Sequence, residues 1–153
     1  TFTPILFVMK DILVALDFES QTSKILVQAE RLAQAFGAKL WLVHVVAPNP
    51  DFVGYEAGPQ VVREQRADEL RQEHRDLQAM AQALEEKGLQ AHARLIQGPT
   101  VETLLNLATE VDADLIVIGG HRHSWLYKMV IGSTTGALID QAARPVLVVP
   151  VDQ

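Results

Sequence analysis

Residues 114–143 read DLIVIGGHRHSWLYKMVIGSTTGALIDQAA. An apolar run, Leu115 to Ile118, ends in the pair Gly119 and Gly120; a polar loop follows, then Gly132, then three hydroxyls, Ser133, Thr134 and Thr135, at the head of a helical stretch. A strand that hands over through a glycine loop to a helix N-terminus is the usual anion site of α/β proteins. The first turn of a helix has backbone N–H groups with no intrahelical acceptor, and its dipole favours negative charge. Gly119, Gly132, Ser133, Thr134 and Thr135 are therefore candidate phosphate-binding residues, with the loop residues His121 and Arg122 beside them.

The rest of the chain repeats the strand–helix alternation. Lys10–Asp17 (KDILVALD) is a short continuous apolar run closed by an acid, the pattern of a strand buried on both faces. From Ser20 to Phe36, Ile25, Ala29, Leu32, Ala33 and Phe36 form a helical stripe that Gly37 stops. Lys39–Val46 (KLWLVHVV) gives the second strand. Pro48, Pro50, Gly54, Gly58 and Pro59 mark a long loop. Gln60–Lys87 is a helix with Leu70, Leu77 and Leu84 in line, its interspersed Arg and Glu read as a solvated face, and Gly88 ends it. Gln90–Ile96 is the third strand. A helix follows from about Thr100, a candidate N-cap, with Val101, Leu104, Leu105, Ala108 and Val111 inward. Asp114–Gly119 is the fourth strand and Pro145–Pro150 (PVLVVP) the fifth. Alternation of this kind predicts an α/β fold: one doubly wound, five-stranded parallel sheet in the order 3-2-1-4-5, Rossmann-like. Ligands bind such sheets where the order reverses, at the carboxyl ends of strands one and four. Asp17 ends the first of these and Gly119 the second, so fold and loop point to one site.

Composition bounds the function. A chain of 153 residues is the size of one domain of roughly 150. A net charge of −6 lacks the basic face that a nucleic-acid backbone demands, and the apolar runs are shorter than the roughly 18 residues of a membrane span. Nucleic-acid binding and membrane insertion are not expected. The absence of cysteine removes thiolate catalysis and Cys-based zinc sites, and fits a cytoplasmic protein. His121 and His123 form an H-x-H pair with no nearby carboxylate or thiol, short of a metal set. The leading residues TFTPILFV, 1–8, read as an extension before a domain at 9–153 that begins at Met9.

Over its length from Met9 the chain resembles the universal stress protein family: DILVALD in the first strand, LVHVV in the second, QGPTVETLL after the third, the glycine loop, and RPVLVVP at the end. The resemblance implies the adenine nucleotide alpha hydrolase-like fold. The family's nucleotide signature has a glycine, two residues, a glycine, nine residues, a glycine and a Ser or Thr. Gly119, Gly132 and Ser133 match it, and Arg122 stands at the second glycine. What the resemblance implies is ATP, with or without Mg2+, across the ends of strands one and four. Asp17 and Val45 would lie near the adenosine, and the glycine loop and Ser133 helix end would hold the phosphates. A Cβ at 122 resists the close backbone approach that a glycine permits, whereas a guanidinium is itself a forked phosphate donor.

Enzyme signatures are missing: no G-x-x-x-x-G-K-[ST], G-x-G-x-x-G after strand one, G-x-S-x-G or H-E-x-x-H occurs. The expectation is a binding protein acting in stress response through an unidentified protein partner. Two rivals stay open: a stress protein that works by protein contacts without ATP, and a slow nucleotide hydrolase. Strand five places Val146, Leu147, Val148 and Val149 at a sheet edge, which predicts a homodimer paired through that strand.

Overall fold

The computed structural model describes residues 9–18, 22–46, 60–121 and 132–151. The elements run β1 (Asp11–Ala15), α1 (Thr22–Phe36), β2 (Lys39–Val46), α2 (Gln60–Glu86), β3 (Ala91–Gln97), α3 (Thr100–Glu110), β4 (Leu115–His121), α4 (Ser133–Gln141) and β5 (Val146–Val151). All four pairings are parallel and the order is β3-β2-β1-β4-β5, as the alternation predicts. The extension at 1–8 and the loop residues Arg122 and His123 lie outside the described residues.

β1 is the middle strand, and its sequence says why. Ile12, Leu13 and Val14 are each fully buried, so neither face of the strand can carry a polar residue. Ile12 and Val14 join Ile25, Ala29 and Ala33 of α1 and Leu77 and Leu84 of α2 in one core layer. Leu13 joins Leu104 and Ala108 of α3 and Leu138 of α4 in the other. Each such Leu or Ile contributes roughly 1.5–3 kcal/mol relative to an exposed position. Polar pinning supplements the packing at the amino end. Asp114 accepts hydrogen bonds from the backbone N–H of Lys10 at 2.8 Å and of Asp11 at 3.0 Å, which sets where β1 starts against β4.

Glycines stop helices as expected: Gly37 and Gly88 have φ of 68° and 88°, a region a Cβ disfavours. Three local readings change. α3 has Pro99, not Thr100, at its N-cap, because Pro99 is extended and its carbonyl accepts the N–H of Thr103 at 2.9 Å. α4 likewise has Gly132 as N-cap, leaving Ser133 as its first helical residue. α2 buries Leu77, Ala81 and Leu84, but Leu70 stays partly exposed because no residue before Leu77 in that helix is buried.

Gly120 shows how tightly β4 is seated on β5: a Cβ there would lie 2.5 Å from Val148 Cγ1. Gly120→Ala is expected to cost about 1–3 kcal/mol through overpacking. Urea unfolding should show a lower midpoint at unchanged slope; an unchanged midpoint would show that Val148 rotates away freely.

Candidate functional site

A crevice of about 580 Å³ opens at the carboxyl ends of β1, β2 and β4. That volume falls inside the roughly 300–1,000 Å³ of small-molecule sites. Its position follows from the topology. The chain winds from β1 through α1 to β2 and on to β3 at one edge, then returns through α3 to β4 on the other side of β1, so the strand order reverses between β1 and β4 and leaves a gap at their carboxyl ends.

Asp17, Val45, Gly119, Gly132, Ser133, Thr134 and Thr135 all line this crevice. His121 contributes the last residue of β4, and its side chain, like Arg122, is outside the described residues. Gly119 has a packing reason of its own: a Cβ would sit 2.9 Å from Ile25 Cδ1 and 3.6 Å from Val151 Cγ1. Thr135 is the one buried polar side chain among the described residues, and its hydroxyl donates to the Gly119 carbonyl at 3.0 Å. This bond fixes the head of α4 against the end of β4. Ser133 and Thr134 are exposed beside it, so their hydroxyls and the N–H groups of the first turn face the opening. Thr100 at the start of α3 also reaches the crevice, so two helix N-termini turn their positive dipole ends toward it.

Phe18, His44, Arg66 and Glu73, which the sequence did not single out for the site, line the crevice as well. Arg66 and Glu73 are corrected from a solvated face to a crevice wall. They lie seven residues apart, two helical turns on one face, and four residues before Leu70 and Leu77 respectively. They extend the apolar stripe of α2 beyond the sheet, which a search for Leu alone misses. His44 is held structurally, its Nδ1 hydrogen-bonded to the Leu16 carbonyl at 2.7 Å. Apolar walls come from Ala15, Ile25, Val43, Val45, Leu104 and Ile118. The arrangement therefore joins an apolar slot to an anion-favouring rim of helix ends, with Asp17 in the same lining.

The Universal stress protein family model matches residues 9–150. The chain belongs to the universal stress protein family. Among its relatives, the universal stress protein YxiE of Bacillus subtilis is 32% identical over 142 residues, covering 90% of this chain and 96% of its own. The universal stress protein in the QAH/OAS sulfhydrylase 3′ region of Thermus aquaticus is 30% identical over 142 residues, covering 92% and 98%. A universal stress protein family structure from Burkholderia pseudomallei superposes with a TM-score of 0.66 at 31% identity, covering 94% of this chain and 98% of that one. Two family structures contain adenine nucleotides. One, a universal stress protein in complex with cAMP, has a TM-score of 0.65 at 22% identity and covers 94% and 98%. The other, from Archaeoglobus fulgidus in complex with dAMP, has a TM-score of 0.60 at 20% identity and covers 94% and 99%. At those identities the last two establish the shared fold.

Thr135 gives the test of how the universal stress protein crevice is held open. Thr135→Val keeps the shape and removes the hydroxyl, leaving the Gly119 carbonyl without that donor. A loss of about 1–2 kcal/mol is expected by denaturant unfolding, with Thr135→Ser retaining most of the stability. Equal stability of the Val and Thr proteins would mean that the hydroxyl does not tie α4 to β4.

Proposed function

We propose that this universal stress protein binds an adenine nucleotide, ATP with or without Mg2+, in the crevice at the carboxyl ends of β1 and β4. The observation that carries the reading is the convergence of seven of the nine candidate residues on one 580 Å³ crevice at the switch point of the sheet. The slot between Val43, Val45 and Ile118 suits a purine, and Asp17 is placed for the ribose or base. The first turn of α4, with Ser133 and Thr134, suits phosphate oxygens. The cAMP and dAMP complexes of structural relatives support the same ligand class. Binding, rather than catalysis, is proposed as the activity: phosphoryl transfer needs charge neutralisation and a positioned base, and the sequence carries no signature for either.

A nucleotide with fewer phosphates is a second reading, and a specific observation favours it. The described lining residues include one Arg, Arg66, and two carboxylates, Asp17 and Glu73, so this part of the wall does not offset the charge of a triphosphate. Thermal unfolding with ATP·Mg2+, AMP and cAMP separates the two. A ligand at about one hundred times its dissociation constant adds about 2.7 kcal/mol, and Asp17→Ala should reduce the shift. Larger stabilisation by AMP or cAMP than by ATP selects the second reading. No shift with any of the three sinks nucleotide binding and favours a stress protein that works by protein contacts alone. Arg122→Gly then asks whether the missing loop glycine is the cause.

The proposed biological role is stress response through a protein partner, in a cytoplasmic setting. No helix among the described residues is long and apolar enough to cross a membrane. A homodimer through β5 is proposed as well. That strand lies at the sheet edge with Leu147 38% exposed, and Val146, Val148 and Val149 beside it. Light scattering at micromolar concentration should give twice the 16.9 kDa chain mass, and Leu147→Lys should shift it to a monomer. A wild-type monomer would overturn this pairing.

A further inference from the structure

The end of β1 is held from β2 by one backbone bond and by the His44 side chain. Leu16 donates its N–H to the Val43 carbonyl at 2.8 Å, and its own carbonyl accepts from His44 Nδ1 at 2.7 Å. Two residues on, Phe18 takes φ of 61°, a left-handed conformation that costs a non-glycine residue about 1 kcal/mol or more. Its ring meets the His44 ring edge-on, with centroids 4.9 Å apart at 90°. The His44 ring thus anchors the residue before Asp17 and the residue after it.

The other side of the ring faces α2. His44 Nε2 lies 3.3 Å from Glu73 Oε2, with the two side chains 12% and 28% exposed. That oxygen is itself buried and makes no properly formed hydrogen bond among the described residues, so the contact is an ion-pair approach and not a saturated bond. The tautomer follows from chemistry. A carbonyl only accepts, so Nδ1 carries a proton, and without a second proton Nε2 presents a lone pair to a carboxylate. The contact attracts only while a proton lies between the two. Glu73 from α2 contacts the ring, and the other charged residues lining the same crevice are Arg66 of α2 and Asp17 just after β1; on β3 the register partner of His44 is Leu95.

We propose that His44, braced by Glu73, is the positioning residue that sets the Asp17–Phe18 turn, and that through it α2 governs the shape of the crevice mouth. The consequence for ligand affinity rests on the nucleotide reading above; the consequence for the turn does not. The brace is in place while a proton lies between His44 Nε2 and Glu73 Oε2 and is lost when that proton leaves. Affinity should therefore fall with rising pH. Glu73→Gln replaces the carboxylate by an amide that donates to neutral His44, keeping the brace without the extra proton.

Calorimetric titration with cAMP, whose single phosphate does not titrate between pH 6 and pH 8.5, is the first measurement, with ATP·Mg2+ alongside. Wild-type affinity is expected to drop about three- to tenfold across that range, the size of one lost hydrogen bond to a charged or neutral partner. Glu73→Gln should bind with no pH slope, whatever its absolute affinity, and His44→Ala should bind weakly at both ends with no slope. An equal pH slope in wild type and Glu73→Gln overturns the proposal. The second measurement needs no ligand: the hydrogen-exchange protection factor of the Leu16 amide. It should decrease from pH 6 to pH 8.5 in wild type and stay constant in Glu73→Gln; the same change in both overturns the brace. Absence of nucleotide binding with the exchange difference present refutes the nucleotide reading alone and supports the brace.

Discussion

Everything in this molecule depends on one strand that cannot touch water. β1 has a core layer on each face and a parallel neighbour on each edge, so its residues have no choice of register: a slip by one place exchanges the two layers. Fixing β1 fixes the helices. α1 and α2 must cover one face and α3 and α4 the other, and the chain must leave the sheet in two directions. The crevice is the geometric remainder of that winding, present before any residue is chosen for binding. What the sequence adds is the lining: small residues where β4 meets α1 and β5, and hydroxyls where α4 begins.

The charged residues divide by the same logic. Surface pairs such as Arg71 with Asp68, three residues apart on α2, contribute little in water. Glu73, on the same helix, is different because the helix carries it over the end of the sheet, where it meets His44. Position relative to the strand ends, more than residue type, separates a solvated ion from one that shapes the crevice.

Much of this was legible beforehand. The strands were readable because burial on both faces forces continuous apolar runs, and the strand order because crossovers in parallel sheets have one hand. The crevice position followed from the order, which is why Asp17 just past the end of β1 and Gly119 near the end of β4 could be paired although they are 102 positions apart in the chain. The lining contributed by α2 was not legible. Hydropathy assigns Arg66 and Glu73 to solvent, and nothing in a helical period says that a helix overhangs its sheet. The helix starts at Thr100 and Ser133 were legible, but the cap position lies one residue earlier in each. Thr100 and Ser133 are good capping residues in isolation, but the preceding Pro99 and Gly132 take the extended backbone that the cap position requires. The resemblance to universal stress proteins supplied the ligand class, which periodicity could not.

The hydrogen bond from Thr135 to Gly119 spans sixteen positions. In polymer terms it closes a ring. The entropy of bringing its two ends together is set by the folded sheet and α4, not by the residues in between, and doubling the length of such a segment costs only about 0.6 kcal/mol. A change in the number of residues between β4 and α4 therefore weighs little on stability, while the frame of the crevice, the head of α4 tied to the end of β4, is set independently of that number.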